Sequence, residues 1–323
     1  MSHIRVEVLN AQRRGEWEAF VKSANNGTVF HRLAFLDYHR PERFVFHHLM
    51  FYEGDSLVAL LPASLSGGVL TSPAGASFGG FVVAPRLALQ TADHIVKALL
   101  AYGRDSGIAE IVLTPPMQVY SRTLDESMEY AMLYNRFSQH SVLYSSVIDL
   151  ARVRGKQDLS RNTRHKINKA INKNVRIVES DTFETFYPIL LENKAKFGVK
   201  PTHTLEELKK IDKLVPGMMR LFMAYYGGTP VAGELLFAAN DRCILNFYTM
   251  HLYQHRNLFA VNYLVEHAIR WSIEHGFRYY DYGVSADTFS TDPLEPSWSL
   301  VWLKESMGSV GCMRRTYRKR LDG

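Results

Sequence analysis

Lys304 interrupts the stretch WSLVWLKESMGSVG (298–311), which is otherwise apolar or small and reads as a buried strand with a turn behind it. A lysine there has two uses. Its stem can lie along apolar surface while the ammonium reaches water. Held in a dry site, the same ammonium attracts a phosphate or a developing oxyanion more strongly than it would in water. Asp281 ends the strand-like YYDYG, between Tyr280 and Tyr282 and next to the turn at Gly283. Strand ends are where α/β folds place reactive groups. A carboxylate flanked by two rings is partly desolvated and can hold an amine, with Tyr282 as a substrate contact. It can equally cap the following turn.

Phosphate chemistry is suggested by charge. The net charge is +6, and it is concentrated in two places. Residues 161–176, RNTRHKINKAINKNVR, hold six Lys/Arg and no acid, and residues 314–320, RRTYRKR, hold five and no acid. Patches of this kind face phosphates, or else form a solvated face or a tail. Within the first, Arg161, Arg164 and Lys169 share one side of a helical wheel, with Arg164 bordering the apolar face of Ile167 and Ile171.

Other chemistries are excluded by pattern. There is no Gly-x-Ser-x-Gly elbow or Ser–His–Asp order, so a covalent serine route is not indicated. His251 and His255 lie four apart but lack the glutamate of HExxH, and Cys243 and Cys312 have no CxxC spacing. No metal and no tightly bound cofactor is expected. No apolar run reaches the length of a membrane span, and MSHIRVEVLN has no signal-peptide core. A reducing cytoplasm fits the cysteine usage.

The elements that must position these residues repeat. DHIVKALLAYGRDSG (93–107) has helical apolar spacing, a glycine stop and a following strand, IAEIVLT. NYLVEHAIRWSIEHG (262–276) does the same before FRYYDYG, and the two align without gaps at an offset of 169. Upstream, FYEGDSLVALLPASL (51–65) aligns with AYYGGTPVAGELLFA (224–238) at an offset of 173, each a strand, a glycine turn and a strand. Two alignments in the same order predict two copies of one α/β unit. The basic helix 160–174, with Ser160 as N-cap, opens the second copy.

A mixed, mostly antiparallel sheet around a hairpin and a central helix resembles the GNAT acyltransferase fold, and two such units in a chain of this length resemble the Fem family of peptidyltransferases. Four stretches carry the resemblance: residues 57–83 with their glycine turn, the basic helix 161–177, NFYTMH through YYDYG (246–283), and WLKESMG (302–308), which is similar to the family's F-K-x-x-F-G with Met307 in place of Phe. The resemblance implies two tandem GNAT-like domains, 1–150 and 151–303, with a shared cleft and with 304–323 returning to pack on the first. It implies that Tyr248, in other respects a core tyrosine beside Phe247, lies where the acceptor binds. It implies too that Lys304 projects into the cleft to stabilise a phosphate or an oxyanion.

Fem proteins transfer amino acids from aminoacyl-tRNA to peptidoglycan precursors, so the resemblance implies a bacterial cell-wall enzyme. An acyl-CoA-dependent GNAT carries glycines before its central helix, where backbone amides hold pyrophosphate. Here QHRNLFA (254–260) keeps Gln254 and Asn257 but neither glycine, and PRLALQT (85–91) has none. The leading expectation is therefore acyl transfer from aminoacyl-tRNA to an amine of a phosphate-bearing envelope precursor. The alternatives are an acyl-CoA-dependent N-acyltransferase acting on a sugar or small amine, and a non-catalytic protein that binds phosphate-bearing polymers.

Overall fold

The computed structural model of the protein describes residues 4–287 and 289–321. The chain divides into two compact units, Met1–Leu143 with Met313–Gly323, and Tyr144–Cys312. Residues 304–312 thus stay with the second unit.

The first unit contains β1 (Ile4–Val8), α1 (Arg14–Ser23), α2 (Leu33–Leu36), β2 (Leu49–Glu53), β3 (Ser56–Leu61), β4 (Ser64–Ser66), β5 (Val69–Ser72), β6 (Val82–Val83), α3 (Leu89–Asp105), β7 (Glu110–Leu113) and α4 (Ser127–Tyr134). The chain crosses to the second unit within β8 (Ser138–Asp149) and returns within the last strand. The first unit's strands form two sheets, ordered β1-β2-β3-β6 and β4-β5-β7 followed by the last strand. Ala92, Ile95, Val96, Leu99 and Leu100 recur at helical spacing on α3 and are buried against Leu49, Phe51, Leu61, Ile111 and Leu113.

The second unit contains α5 (Arg161–Asn172), β9 (Arg176–Ser180), α6 (Phe183–Ala195), α7 (Leu205–Leu214), β10 (Met219–Tyr226), β11 (Thr229–Ala238), β12 (Cys243–His251), α8 (Ala260–Glu274), β13 (Tyr279–Val284) and α9 (Trp298–Ser306); the last strand is β14 (Val310–Arg320). Its sheet runs β8-β13-β12-β11-β10-β9, antiparallel except for β12 and β13. The β10–β11 hairpin turns on Gly227 and Gly228, both at positive φ, as a two-residue type I′ turn requires. Leu264, Val265, Ala268 and Ile269 of α8 pack on Phe222, Ala232, Leu236, Ile244 and Tyr280, giving this unit its own core.

One element differs in type from the sequence reading. The stretch around Lys304 is a helix, α9, and not a strand. Only Val301 and Lys304 of it are buried, with Met307 just beyond, at a spacing of three. Trp298 and Trp302 are 60% and 72% exposed, so the run was never uniformly buried. Gly308 ends the helix at φ +89, its N–H bonded to the Glu305 carbonyl.

Candidate functional site

The second unit's sheet loses its continuity where its two parallel strands part. β12 and β13 pair only over Cys243↔Tyr279, Ile244↔Tyr280 and Leu245↔Asp281. Beyond that point β12 stays with β11 as far as His251, with one extra residue, Phe247, between the pairs Leu236↔Asn246 and Leu235↔Tyr248. β13 shifts register against β8 between Asp281 and Val284. Two bulges therefore flank the point where the shared ladder stops, and bulges re-aim side chains.

Asp281 stands at that point, fully buried. Its Oδ1 accepts from the Gly283 N–H at 2.7 Å and from Ser145 Oγ at 3.0 Å. The first bond closes the turn that Gly283, at φ +70, makes possible. Of its two expected uses, capping the turn is the one with hydrogen bonds to show. Lys304, 8% exposed, reaches across from α9 to the end of the same strand. Its Nζ donates to the carbonyls of Gly283 at 2.8 Å and Val284 at 3.0 Å and to Ser285 Oγ at 2.8 Å. An ammonium has three N–H groups, and all three are engaged. Burial lowers its pKa to about 8, and the charge of Asp281 opposes that shift. The expected free, projecting cation is instead a tied one.

Next to this strand end lies a polar cluster that the sequence reading missed. Glu234, on β11, is fully buried. Its Oε1 accepts from Tyr280 Oη at 2.5 Å, Asn246 Nδ2 at 2.7 Å and Thr249 Oγ1 at 3.4 Å. Asn246 also donates to Tyr280 Oη at 2.9 Å, and Thr249 donates to Asn246 Oδ1 at 2.8 Å. The extra residue at Phe247 explains why Asn246 and Thr249, three apart in a strand, reach one carboxylate. Burial raises Glu234 to about 8, against the lowering effect of the Tyr280 and Thr249 hydrogen bonds. Tyr282 stacks edge-on against Tyr280 at 4.9 Å, and burial followed by the charge of Glu234 pushes its hydroxyl well above the ordinary tyrosine range. The available signal was a carboxylate inside the apolar run VAGELLFA, aligned by the internal repeat with Leu61.

The other expected residues lie apart from this cluster. Tyr248 is buried against Phe186 of α6, and its hydroxyl accepts the Thr202 N–H at 3.0 Å. Its contacts are to α6 and the segment before α7, whereas Tyr280 and Tyr282 pack with the core under α8. On α5, Ser160 caps the helix as expected, accepting the Thr163 N–H at 3.2 Å. Arg164 Nη1 donates to the carbonyls of Gln157 and Leu159, both at 2.8 Å, so this side chain holds the preceding loop. Ile167 is buried but Ile171 is 42% exposed. Arg161 is exposed, and Lys169 lies over the Phe259 ring at 5.7 Å. Lys173 donates to the Asn257 carbonyl at 3.1 Å. Lys169, Asn172, Lys173, Asn257 and Phe259 line an open cavity of about 490 Å³ at the start of α8. The loop before α8 is a 3₁₀ turn, Tyr253–Leu258, and Phe259 takes the left-handed conformation, at φ +56, that glycine adopts most easily.

Comparison with known proteins places this geometry. Residues 157–290 match the GNAT acetyltransferase domain family. The crystal structure of FemX has a TM-score of 0.71 at 11% identity, covering 98% of this chain and 97% of that one. The fold is that of the Fem-type tandem GNAT proteins. A tandem GNAT protein from the clavulanic acid biosynthesis pathway gives 0.57 at 12% identity, with 99% of both chains covered. L-PGS from Bacillus licheniformis gives 0.61 at 14%, with 98% and 94% covered. No curated protein matches the sequence. The matched domain, which holds Glu234, Asp281 and the basic helix, is by family an acyltransferase domain. Among the described residues no helix is long and apolar enough to cross a membrane, and no group of side chains is placed to hold a metal.

Proposed function

We propose that this Fem-type tandem GNAT protein transfers an aminoacyl group from aminoacyl-tRNA to an amine of a phosphate-bearing cell-envelope precursor, in the cytoplasm. The observation that carries the choice of donor is the floor of the α8 cavity. Where a CoA-dependent GNAT presents bare backbone to pyrophosphate, this chain presents a 3₁₀ turn and Phe259, with Lys169 and Lys173 of α5 alongside. Side chains at those positions crowd a pyrophosphate but suit a bulkier polyanion, whose phosphates lysines on a helix can meet one by one. Opening of the sheet between β12 and β13 gives the acyl group a place to enter beside buried polar groups. Lys304 in this reading contributes the field of its charge and holds the strand end in shape, since its N–H groups are engaged.

The match to a GNAT acetyltransferase domain favours a second reading, in which acyl-CoA is the donor. Thermal protection separates them. A ligand that binds only the folded protein raises the melting temperature according to its concentration over Kd. Charged tRNA at micromolar concentration should raise it and millimolar CoA should not. Protection by CoA alone would give the reaction to the second reading.

A further inference from the structure

We propose that Glu234 and Tyr282 form a binding site for a primary ammonium group carried by one of the two substrates. The inference rests on the acyl-transfer reading only in taking that ammonium to belong to a substrate.

Two buried polar atoms of the cluster have no partner among the described residues, Glu234 Oε2 and Tyr282 Oη. Glu234 Oε1 takes the Tyr280 hydroxyl and the Asn246 amide as donors, while the oxygen bonded to the same carbon has none. Leaving such an atom bare costs free energy that a folded protein ordinarily avoids. Glu234 is fully buried, but Asn246, Thr249 and Tyr282 around it are each partly exposed, and they stand where β12 and β13 have stopped pairing. A group reaching this floor meets Glu234 Oε2, which accepts once the carboxyl is ionised, and a phenol oxygen that can accept. The complement is a group rich in N–H donors with no need to accept, and a primary ammonium has three donors and no acceptor.

The internal repeat argues that the cluster is not there for folding. At the two offsets, Glu234 corresponds to Leu61, Tyr280 to Ile111 and Tyr282 to Leu113. All three counterparts are apolar and fully buried in the core of the first unit. One copy of the unit thus builds the place from apolar side chains, while the other builds it from a carboxylate and two phenols and leaves two of their atoms unpaired.

A consequence distinguishes an ammonium from a water or a neutral guest. Because burial raises Glu234 to about 8, the carboxyl is mostly protonated at pH 7. The titratable groups facing it are Tyr280 and Tyr282 from β13; β12 contributes the neutral Asn246 and Thr249, and Phe222 lies across from it on β10. Binding an ammonium favours the ionised form of Glu234, so protons leave the protein as amine binds.

The test is isothermal titration of the full chain at pH 7 with methylamine through butylamine, and with the matching alcohols, in two buffers of different ionisation enthalpy. Amines should bind with proton release, and alcohols at least tenfold more weakly. Glu234→Gln should weaken amine binding at least tenfold and abolish proton release. Tyr282→Phe should weaken it several-fold while release persists, which keeps the test valid if the first variant folds poorly. Equal binding of amines and alcohols, or unchanged amine binding in Glu234→Gln, would overturn the proposal.

The source of the ammonium is read from transfer kinetics. If it belongs to the donor, N-acetylation of the aminoacyl-tRNA raises donor KM in wild type but not in Glu234→Gln. If it belongs to the acceptor, Glu234→Gln raises acceptor KM alone. Titration needs no acyl donor, so amine binding without any transfer would sink the proposed function and leave this site. Transfer by Glu234→Gln with both KM values unchanged would do the reverse.

Discussion

Lys304 shows how residue type and residue environment divide the information. Its oddity was visible in the sequence, since a cation stood among apolar neighbours. Its partners were not, because Gly283, Val284 and Ser285 come from a strand end some twenty positions upstream. The geometry changes the expected outcome of Lys304→Met. A lysine snorkelling to water would be replaced at no cost to stability. Here the substitution strips charged donors from two carbonyls and a hydroxyl in a buried place, and such hydrogen bonds contribute about 1.5–3 kcal/mol each, with partial relief wherever water enters. Chemical denaturation should show Lys304→Met less stable than wild type by about 2–4 kcal/mol, with an unchanged m-value. Stability equal to wild type would mean that the three bonds do not hold the strand end. Glu234 is the opposite case. Nothing in the sequence marked it except a charge in an apolar strand, and its partners became neighbours only through the bulge at Phe247.

At the scale of elements, the sequence reading was best where a periodic pattern ended in a glycine. The helices α3 and α8, and the hairpin whose turn is Gly227–Gly228, stand where spacing put them. It failed at α9, where consecutive apolar residues suggested a buried strand. A short helix with two exposed tryptophans leaves the same local signature, and only the period of three in Val301, Lys304 and Met307, together with Gly308 as a stop, points the other way. The basic helix α5 was legible as a helix with its cap, but its arginines and lysines do different jobs. Arg161, Lys169 and Lys173 face outward or toward the α8 cavity, while Arg164 ties down the loop at 157–159. Replacing the first three by glutamate should weaken tRNA binding and flatten its dependence on salt, by about 2 in the slope of log K against log salt if each meets one phosphate. Arg164→Ala should leave that slope alone and lower stability by about 1–2 kcal/mol. A triple variant with the wild-type salt slope would return α5 to the role of a solvated face.

For the whole molecule the decisive signal is the internal repeat, since it predicts two α/β units. The same repeat shows where the copies part. In the first, Leu61, Ile111 and Leu113 complete an apolar core; in the second, Glu234, Tyr280 and Tyr282 stand in their places. The matched acyltransferase domain covers only the second set. That asymmetry could be read from the sequence only after the two halves had been aligned. The most direct measurement is transfer itself. The pure protein is incubated with tRNA charged with a labelled amino acid, or with labelled acetyl-CoA, against a panel of nucleotide- and lipid-linked envelope precursors bearing free amines. Label should move from tRNA into a new amide on a precursor amine, and none should move from acetyl-CoA. Label moving from acetyl-CoA alone, or from neither donor, would contradict the proposed function.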